Sequence, residues 1–290
     1  MKTYFTSKPT YPLPEISGSW QFIKYPCVAE IKLDGEFNYL VGNGTEAILI
    51  NKYGRVRADL PITNEVKGFT GILAGELYYG TGKSFFEEML SHKFDSQLKF
   101  CAFDILLYGD ITVANEKLSA RRERLIAFQG RFALEHIHLA EQVICKDKPA
   151  VMAFYEKVVK AGYEGIVVKN DCRFVDGTCQ SMMKLKHTET LDVYAVGYKK
   201  GKDAIAIGTE EKKPIGAVGN AGKEFGKALE LVKDQVIIGE DKEYWYVQKR
   251  YCIEIKHLGV LKSGMLRNAT MVRLRPDKNQ PYILRKEAKL

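Results

Sequence analysis

From residue 27 onward, apolar and polar residues alternate in short runs with a period of two, the pattern of strands that bury one face. In the first run Ala29, Ile31 and Leu33 point to one side and Glu30, Lys32 and Asp34 to the other, before Gly35 frees the backbone to turn or to approach a ligand closely. Residues 37–41 and 47–51 follow as a hairpin closed by Gly42-Asn43-Gly44, and Lys52-Tyr53-Gly54-Arg55 makes the next, basic turn. Residues 71–77 are a small-residue, apolar strand whose one acid is Glu76. Residues 100–108 leave almost no polar face and read as a buried strand with Asp104 as its one charge. Period two returns in residues 164–169, with Glu164 at the mouth and Lys169 at the far end. It returns again in residues 182–186, where Met183 and Leu185 take the core side while Lys184 and Lys186 share the other.

Helical spacing is confined to a few segments. Residues 84–92 begin with Ser84 as N-cap and Glu87 at the third position, a capping-box arrangement. Residues 116–128 and 147–163 are amphipathic, the second capped by Asp147 with Pro149 in its first turn and Gly162 near its end. The first 26 residues, broken by Pro9, Pro12, Pro14 and Pro26, predict an irregular lead-in with one short strand over residues 20–24. After about residue 191 the texture changes to short strands separated by glycines, at 193–198, 204–208, 215–218, 244–247 and 252–256, with one helix at 222–232. Five short strands and a helix suit a small Greek-key barrel of the OB type. The expected fold class is α+β, with a domain of antiparallel sheets and flanking helices over residues 1–189 and an OB-fold β-barrel over residues 190–290.

Composition adds a partner class. The 290 residues are 46% hydrophobic and 28% charged, which fits a globular chain and argues against fibrous or membrane classes. A net charge of +8 favours a polyanionic partner. No apolar run reaches membrane-spanning length, so no membrane partner and an intracellular, cytoplasmic location are expected. The six cysteines include no CxxC pair and are expected as free, mostly buried thiols. Cys172 and Cys179 could close a loop disulfide or supply half of a metal site, for which no second pair is placed.

Several positions carry candidate chemistry. A lysine on apolar strand packing can have its ammonium pKa lowered by desolvation, exposing the lone pair needed for covalent catalysis. The carboxylates beside Lys32 oppose that shift unless a metal ion offsets them, and a surface lysine in a charged turn is the plain alternative. Glu76 could accept two hydrogen bonds from a ribose or be an edge-strand charge. Phe103 could face a base or belong to the core. Lys184 and Lys186 repel each other unless an anion, most naturally a phosphate, sits between them. Arg267, Arg273, Arg275 and Lys278 give residues 266–278 a density of cations suited to phosphate contacts or to a solvated strand end.

Taken in order, these motifs resemble those of the covalent nucleotidyltransferases, most closely the ATP-dependent DNA ligases, over residues 30–278. Glu30-Ile31-Lys32-Leu33-Asp34-Gly35 is similar to the nucleotide-accepting lysine motif, Leu73-Ala74-Gly75-Glu76-Leu77 to the ribose-binding strand, and Phe103-Asp104-Ile105-Leu106 to the adenine-stacking strand. Glu164-Gly165-Ile166-Val167-Val168-Lys169 resembles the metal and phosphate strand, Lys184-Leu185-Lys186 the motif after it, and residues 266–278 the basic ending of the OB domain. The resemblance implies that Lys32 attacks the α-phosphate of ATP and holds AMP as a phosphoramidate. Glu30 would then lie by the adenine edge, Glu76 on the ribose and Phe103 on the adenine face. Lys52 would keep the charge of a family arginine, and Glu164 would hold Mg2+ or Mn2+. Lys184 and Lys186 would neutralise the α-phosphate. Asp34, Arg55, Lys169, Arg267, Arg273, Arg275 and Lys278 would contact phosphate or DNA. The implied partner is nicked double-stranded DNA, met by a monomer of minimal two-domain form.

Three positions depart from the family pattern. Phe37 and Lys52 stand where arginines are usual, and the arginine expected before the Lys-x-Lys strand is absent from its place, with Arg173 nearest. RNA ligases and mRNA guanylyltransferases share the lysine chemistry, and a non-catalytic nucleic-acid-binding relative would keep the fold without it. An NAD-dependent ligase would need an N-terminal domain and a four-cysteine zinc module that this sequence lacks.

Overall fold

The computed structural model describes residues 2–5, 11–83, 97–200, 204–208, 214–219, 237–247, 252–261, 263–275 and 277–278. The helices expected at residues 84–92 and 222–232 lie outside them. The chain divides into two compact units, Met1–Lys186 and His187–Leu290.

The first unit contains strands β1 (Lys2–Phe5), β2 (Pro14–Ile16), β3 (Cys27–Lys32), β4 (Glu36–Asn43), β5 (Ala47–Asn51) and β6 (Arg55–Ala58), followed by helix α1 (Pro61–Glu65). Then come β7 (Thr70–Tyr79), β8 (Leu98–Tyr108), β9 (Ile111–Thr112), α2 (Leu118–Arg131), β10 (Ile137–Leu139), β11 (Gln142–Cys145), α3 (Lys148–Lys160), β12 (Gly165–Lys169), β13 (Gly177–Cys179) and β14 (Met182–Lys186). One sheet runs β1-β6-β5-β4-β7-β8-β10, and a second runs β11-β3-β12-β14. Each has its own core. Leu40, Leu73, Leu77, Phe100 and Ile105 of the larger sheet pack with Leu125 and Phe128 of α2, whereas Ala29, Ile166, Val168 and Met183 of the smaller pack with Val151 and Val158 of α3.

Period two survives folding in the smaller sheet. Lys32 pairs with Gly165, which pairs with Lys186; Glu30 pairs with Val167, which pairs with Lys184. The alternating partners Ala29, Ile31, Ile166, Val168, Met183 and Leu185 all join the core beneath. Leu33 does not follow them. It lies beyond the end of β3 and packs instead against the core of the larger sheet. The helix capped by Asp147 is confirmed at its start, where the Asp147 carboxylate accepts from Ala150 N at 2.9 Å.

Residues 20–24 form no strand. Trp20–Phe22 is a 3-10 turn closed by Phe22 N donating to Ser19 O at 2.9 Å. The two strands that the lead-in does form, β1 and β2, pair with β6 and β13, so distant partners impose extended structure on a stretch with no alternating pattern of its own.

The second unit contains β15 (Glu189–Lys199), β16 (Ala204–Gly208), β17 (Pro214–Gly219), β18 (Ile237–Glu240), β19 (Tyr244–Val247), β20 (Cys252–His257) and β21 (Thr270–Leu274). Five of these close a ring. β15 pairs with β16, β16 with β17, β17 in parallel with β21, β21 with β20, and β20 with β15. Val193, Ile205, Ile207, Val218, Ile253 and Ile255 fill its interior. The β18–β19 hairpin adds to the end of β15 outside that ring.

Candidate active site

The two sheets of the first unit face each other across a cleft of about 950 Å³, lined by β3, β12 and β14 on one side and by β4, β7 and β8 on the other. Residues 13–17, at and beside β2, add to its wall. Lys32 sits at the end of β3, and its Nζ donates to Glu164 Oε2 at 2.6 Å. Lys186 Nζ lies 2.9 Å from the other oxygen of the same carboxylate. Burial alone would raise the Glu164 carboxyl, but Lys32 and Lys186 outweigh it and hold the group below its usual range. Gly165, between these lysines in the sheet, has φ +146, and a Cβ there would stand 1.9 Å from the Leu185 carbonyl oxygen. Only glycine lets the three strands come together at this row.

Lys184 stands one row further along, opposite Val167, and lines the cleft with Glu30 and Lys32. Its ammonium is pushed down by burial and by the like charges of Lys32 and Lys186, so an anion placed there would relieve it. Across the cleft, Glu76 is pushed up to about 7, first by burial and then by the carboxylates of Glu164 and Asp34, against the pull of Lys32. Gly35 makes that position accessible to Glu76, since a Cβ on residue 35 would lie 2.6 Å from Glu76 Cγ and 2.5 Å from the Leu77 carbonyl oxygen.

Phe103 reaches the cleft by an irregularity. In the β7–β8 pairing Ala74 opposes Asp104 and Gly75 opposes Ala102, so Phe103 is the extra residue of a bulge, a device that re-aims a side chain. Its ring lies 6.0 Å from that of Phe37, and Lys169 Nζ stands 4.7 Å from its centre. Lys169 also meets Glu30 at 2.5 Å, and Gln142 Nε2 donates to the other Glu30 oxygen at 2.8 Å.

Residues 72–186 match the family model of the ATP dependent DNA ligase domain. Over that span the chain is similar to an ATP-dependent DNA ligase domain. The matched span includes Glu76, Phe103, Glu164, Lys184 and Lys186 and begins after Lys32. Among curated proteins, a DNA ligase of Thermococcus fumicolans is 25% identical over 205 residues, covering 63% of this chain and 36% of that protein. A DNA ligase of Methanococcoides burtonii is 30% identical over 200 residues, covering 61% and 35%. The chain thus spans about a third of the length of these relatives. Of solved structures, one from an analysis of Lig E DNA ligases as minimal DNA-binding scaffolds superimposes with a TM-score of 0.62 at 19% identity, covering 86% of this chain and 93% of that one. The ligase domain of M. tuberculosis LigD superimposes with a TM-score of 0.53 at 20% identity, covering 92% and 95%. These likenesses show the fold.

The first unit gathers Glu30, Lys32, Lys52, Glu76, Phe103, Lys169 and Lys184 around one cleft, with Glu164 bridging Lys32 and Lys186 by ion pairs. Two residues expected at phosphate are placed otherwise. Lys169 is buried two rows from Lys32 and engages Glu30 and Phe103, at the opposite end of the sheet face from Glu164. Arg55 sits half-buried on β6, outside the lining of the cleft. Asp34 is buried beyond the end of β3, where its charge acts on Glu76. Phe37, in the place of a family arginine, packs edge-on against Tyr39 at 4.9 Å. In the second unit Arg275 meets Asp192 at 3.1 Å and Asp277 at 2.8 Å, Lys278 pairs with Asp192, and Arg273 pairs with Glu254 at 2.8 Å. Arg267 is half-buried just after the Val260–Leu266 bridge. Gln142 was not foreseen. The only signal for it in the sequence is its place in a short strand, because its role depends on antiparallel register with Glu30.

The carboxylate oxygens of Glu164 are hard donors of the kind that Mg2+ or Mn2+ prefers. Glu76 is raised first by burial and then by the carboxylates of Glu164 and Asp34, so these acids crowd one another and fit a divalent cation held among them. Among the described residues, the one group of three potential ligands that converges is elsewhere, at Glu65, Glu135 and His136.

Glu76 also predicts a pH dependence. Below the usual carboxyl value of 4.5 the group is protonated in both folded and unfolded chains and costs nothing. As pH rises toward 7 the unfolded chain ionises first, so folding loses up to ~3 kcal/mol over that interval. Glu76→Gln should remove this loss. Urea unfolding of the nucleotide-free protein at about pH 5 and about pH 7.5 should show the variant gaining on the wild type at the higher pH; equal differences at both would contradict it.

Proposed function

We propose that the protein is an ATP-dependent DNA ligase that seals nicks in duplex DNA through a lysyl-AMP intermediate. The observation that carries this reading is the Lys32–Glu164–Lys186 cluster, set on one sheet face with Lys184 in a cleft of a chain similar over residues 72–186 to an ATP-dependent DNA ligase domain. Lys32 Nζ attacks the α-phosphate of ATP, forming a P–N bond as pyrophosphate leaves. Lys184 and Lys186 neutralise the phosphate, and relief of their mutual repulsion favours its binding. Glu76 orients the ribose, while Phe103 and Glu30 form the adenine end, with Lys169 and Gln142 fixing Glu30. Glu164 would hold a divalent cation, Mg2+ or Mn2+, which would supply positive charge for phosphate transfer. AMP then passes to the 5′-phosphate of the nick, and attack by the 3′-hydroxyl seals the strand and releases AMP.

The second unit, with its five-stranded ring, is read as the OB-fold domain, and the boundary lies at residues 186–190. Its cations Arg267, Arg273, Arg275 and Lys278 face the DNA backbone in this reading, the last three exchanging their acidic partners for phosphate. A monomer suffices, since the cleft is complete within one chain. No helix among the described residues is long and apolar enough to cross a membrane.

The test supplies purified protein with labelled ATP or GTP, magnesium, and nicked duplexes of DNA or RNA. Label from ATP, transferred to a DNA nick and followed by sealing, is the expected result. Label from GTP would replace the ligase by capping chemistry, sealing of RNA nicks alone would make it an RNA ligase, and duplex binding with no covalent nucleotide would make it a binding protein.

A further inference from the structure

Cys172 and Cys179 converge on one hydroxyl. Cys172 Sγ donates to Ser181 Oγ at 3.1 Å, and Cys179 Sγ lies 3.3 Å from the same oxygen. Both are free thiols, Cys172 half-buried and Cys179 buried. The other four cysteines are buried and less reactive. Burial pushes Cys27 up to about 11 and Cys101 up to about 12, and raises Cys145 and Cys252. Cys27 and Cys145 face each other across β3 and β11, yet both lie inside the core of the smaller sheet.

The converging pair is tied to the wall of the cleft from two directions. Cys179 ends β13, which pairs with β2; its carbonyl accepts from Ser17 N at 2.9 Å, and Thr178 beside it lines the cleft with Pro14, Glu15 and Ile16. The Cys172 carbonyl accepts from Arg121 NH1 at 2.9 Å, and Arg121 clamps Asp104, the neighbour of Phe103. A disulfide needs the sulfurs ~2.05 Å apart. Closure therefore draws the Cys172 carbonyl from Arg121 and its thiol from Ser181, and pulls Cys179, with β13 and the β2 strand paired to it, toward Cys172.

We propose that Cys172 and Cys179 are a redox pair which a hydroperoxide closes to a disulfide, and that closure shifts the β2–β13 wall and slows nucleotide transfer to Lys32. The effect on transfer rests on the function proposed above. The more accessible Cys172 thiolate attacks the peroxide, giving a sulfenic acid and an alcohol, or water from hydrogen peroxide. The Cys179 thiol then displaces water from that sulfur, so two thiols lose two hydrogens and one peroxide is reduced.

The test treats the full chain with hydrogen peroxide, maps disulfides by mass spectrometry, and follows both hydrogen exchange in residues 11–18 and labelling of the protein by ATP. A Cys172–Cys179 linkage, altered exchange and severalfold slower labelling, all reversed by dithiothreitol, are expected. Cys172→Ser should label at the rate of the reduced wild type and ignore peroxide, and Cys179→Ser should do the same if Cys172→Ser folds poorly. Oxidation to sulfinic acid without a linkage would overturn the proposal, as would a linked protein with unchanged exchange and labelling. If the reduced wild type takes no label, the ligase reading fails, and linkage with exchange in residues 11–18 still decides whether the redox pair exists.

Discussion

Lys32→Ala should reduce labelling by ATP to background, a loss of at least ~10^4-fold, because no other residue replaces a deleted nucleophile in forming a P–N bond. The label on the wild type should be released by acid and survive alkali, as a phosphoramidate does and a carboxylic ester does not. Folding should suffer much less. Removing Lys32 leaves Glu164 with Lys186 alone, costing about 1.5–3 kcal/mol for a lost charge-assisted hydrogen bond. The variant should still seal a nick whose 5′-phosphate already carries AMP, because that step uses the 3′-hydroxyl rather than the lysine. Label persisting in the variant would remove Lys32 from the mechanism. Loss of sealing on the adenylylated nick as well would show that the substitution had damaged the site rather than deleted a nucleophile.

Much of that site is legible in the residue pattern, and physical reasons separate what is from what is not. The smaller sheet was readable because its polar and apolar positions alternate without interruption, so Glu30, Lys32, Lys184 and Lys186 had to share a face once Ala29, Ile31, Met183 and Leu185 were buried. Phe103 was singled out as a candidate, but the bulge that aims it was hidden, since an extra residue in one strand is a property of the pair and not of either sequence. For the same reason the place of Lys169, which the resemblance puts at phosphate, depends on register. The antiparallel register of β3 and β12 carries it away from Lys32 to Glu30. The N-terminal strands failed differently, because edge pairing with β6 and β13 supplies all of their order. In the second unit the glycine-punctuated runs located β15, β16, β17, β19 and β20 but not β18, and β19 lies outside the ring, whereas the acids Asp192, Glu254 and Asp277 that hold Arg273, Arg275 and Lys278 come together only when the ring closes.

Arg121→Met should be the most destabilising of the substitutions considered, and the sequence already contains its warning. Leu118, Arg121, Leu125 and Phe128 recur at helical spacing, so Arg121 occupies the buried stripe of α2, and β8 carries one buried acid to match it. Arg121 and Asp104 are both fully buried and form a two-pronged pair, at 2.6 Å from Nε and 2.9 Å from NH2. NH1 donates to the carbonyls of Glu116 at 2.5 Å and Cys172 at 2.9 Å, so one guanidinium joins α2, β8 and the loop before β13. Methionine fills similar volume but leaves Asp104 charged and unpaired in the interior, a loss of ~3–5 kcal/mol. With a urea slope of ~2 kcal/mol/M, the midpoint of unfolding should fall by ~2 M. Asp104→Leu alone should cost a comparable amount by stranding the guanidinium. Combining the two should cost far less than their sum, because the double variant buries no lone charge and gives up only the donors to two carbonyls and the acceptor of Ile105 N. The double variant should also bind ATP more weakly while Lys32 chemistry at saturating ATP is little changed, since the bulge that presents Phe103 loses its anchor. Additive losses would show that the two residues act separately and that the bulge is held by the β7–β8 pairing alone.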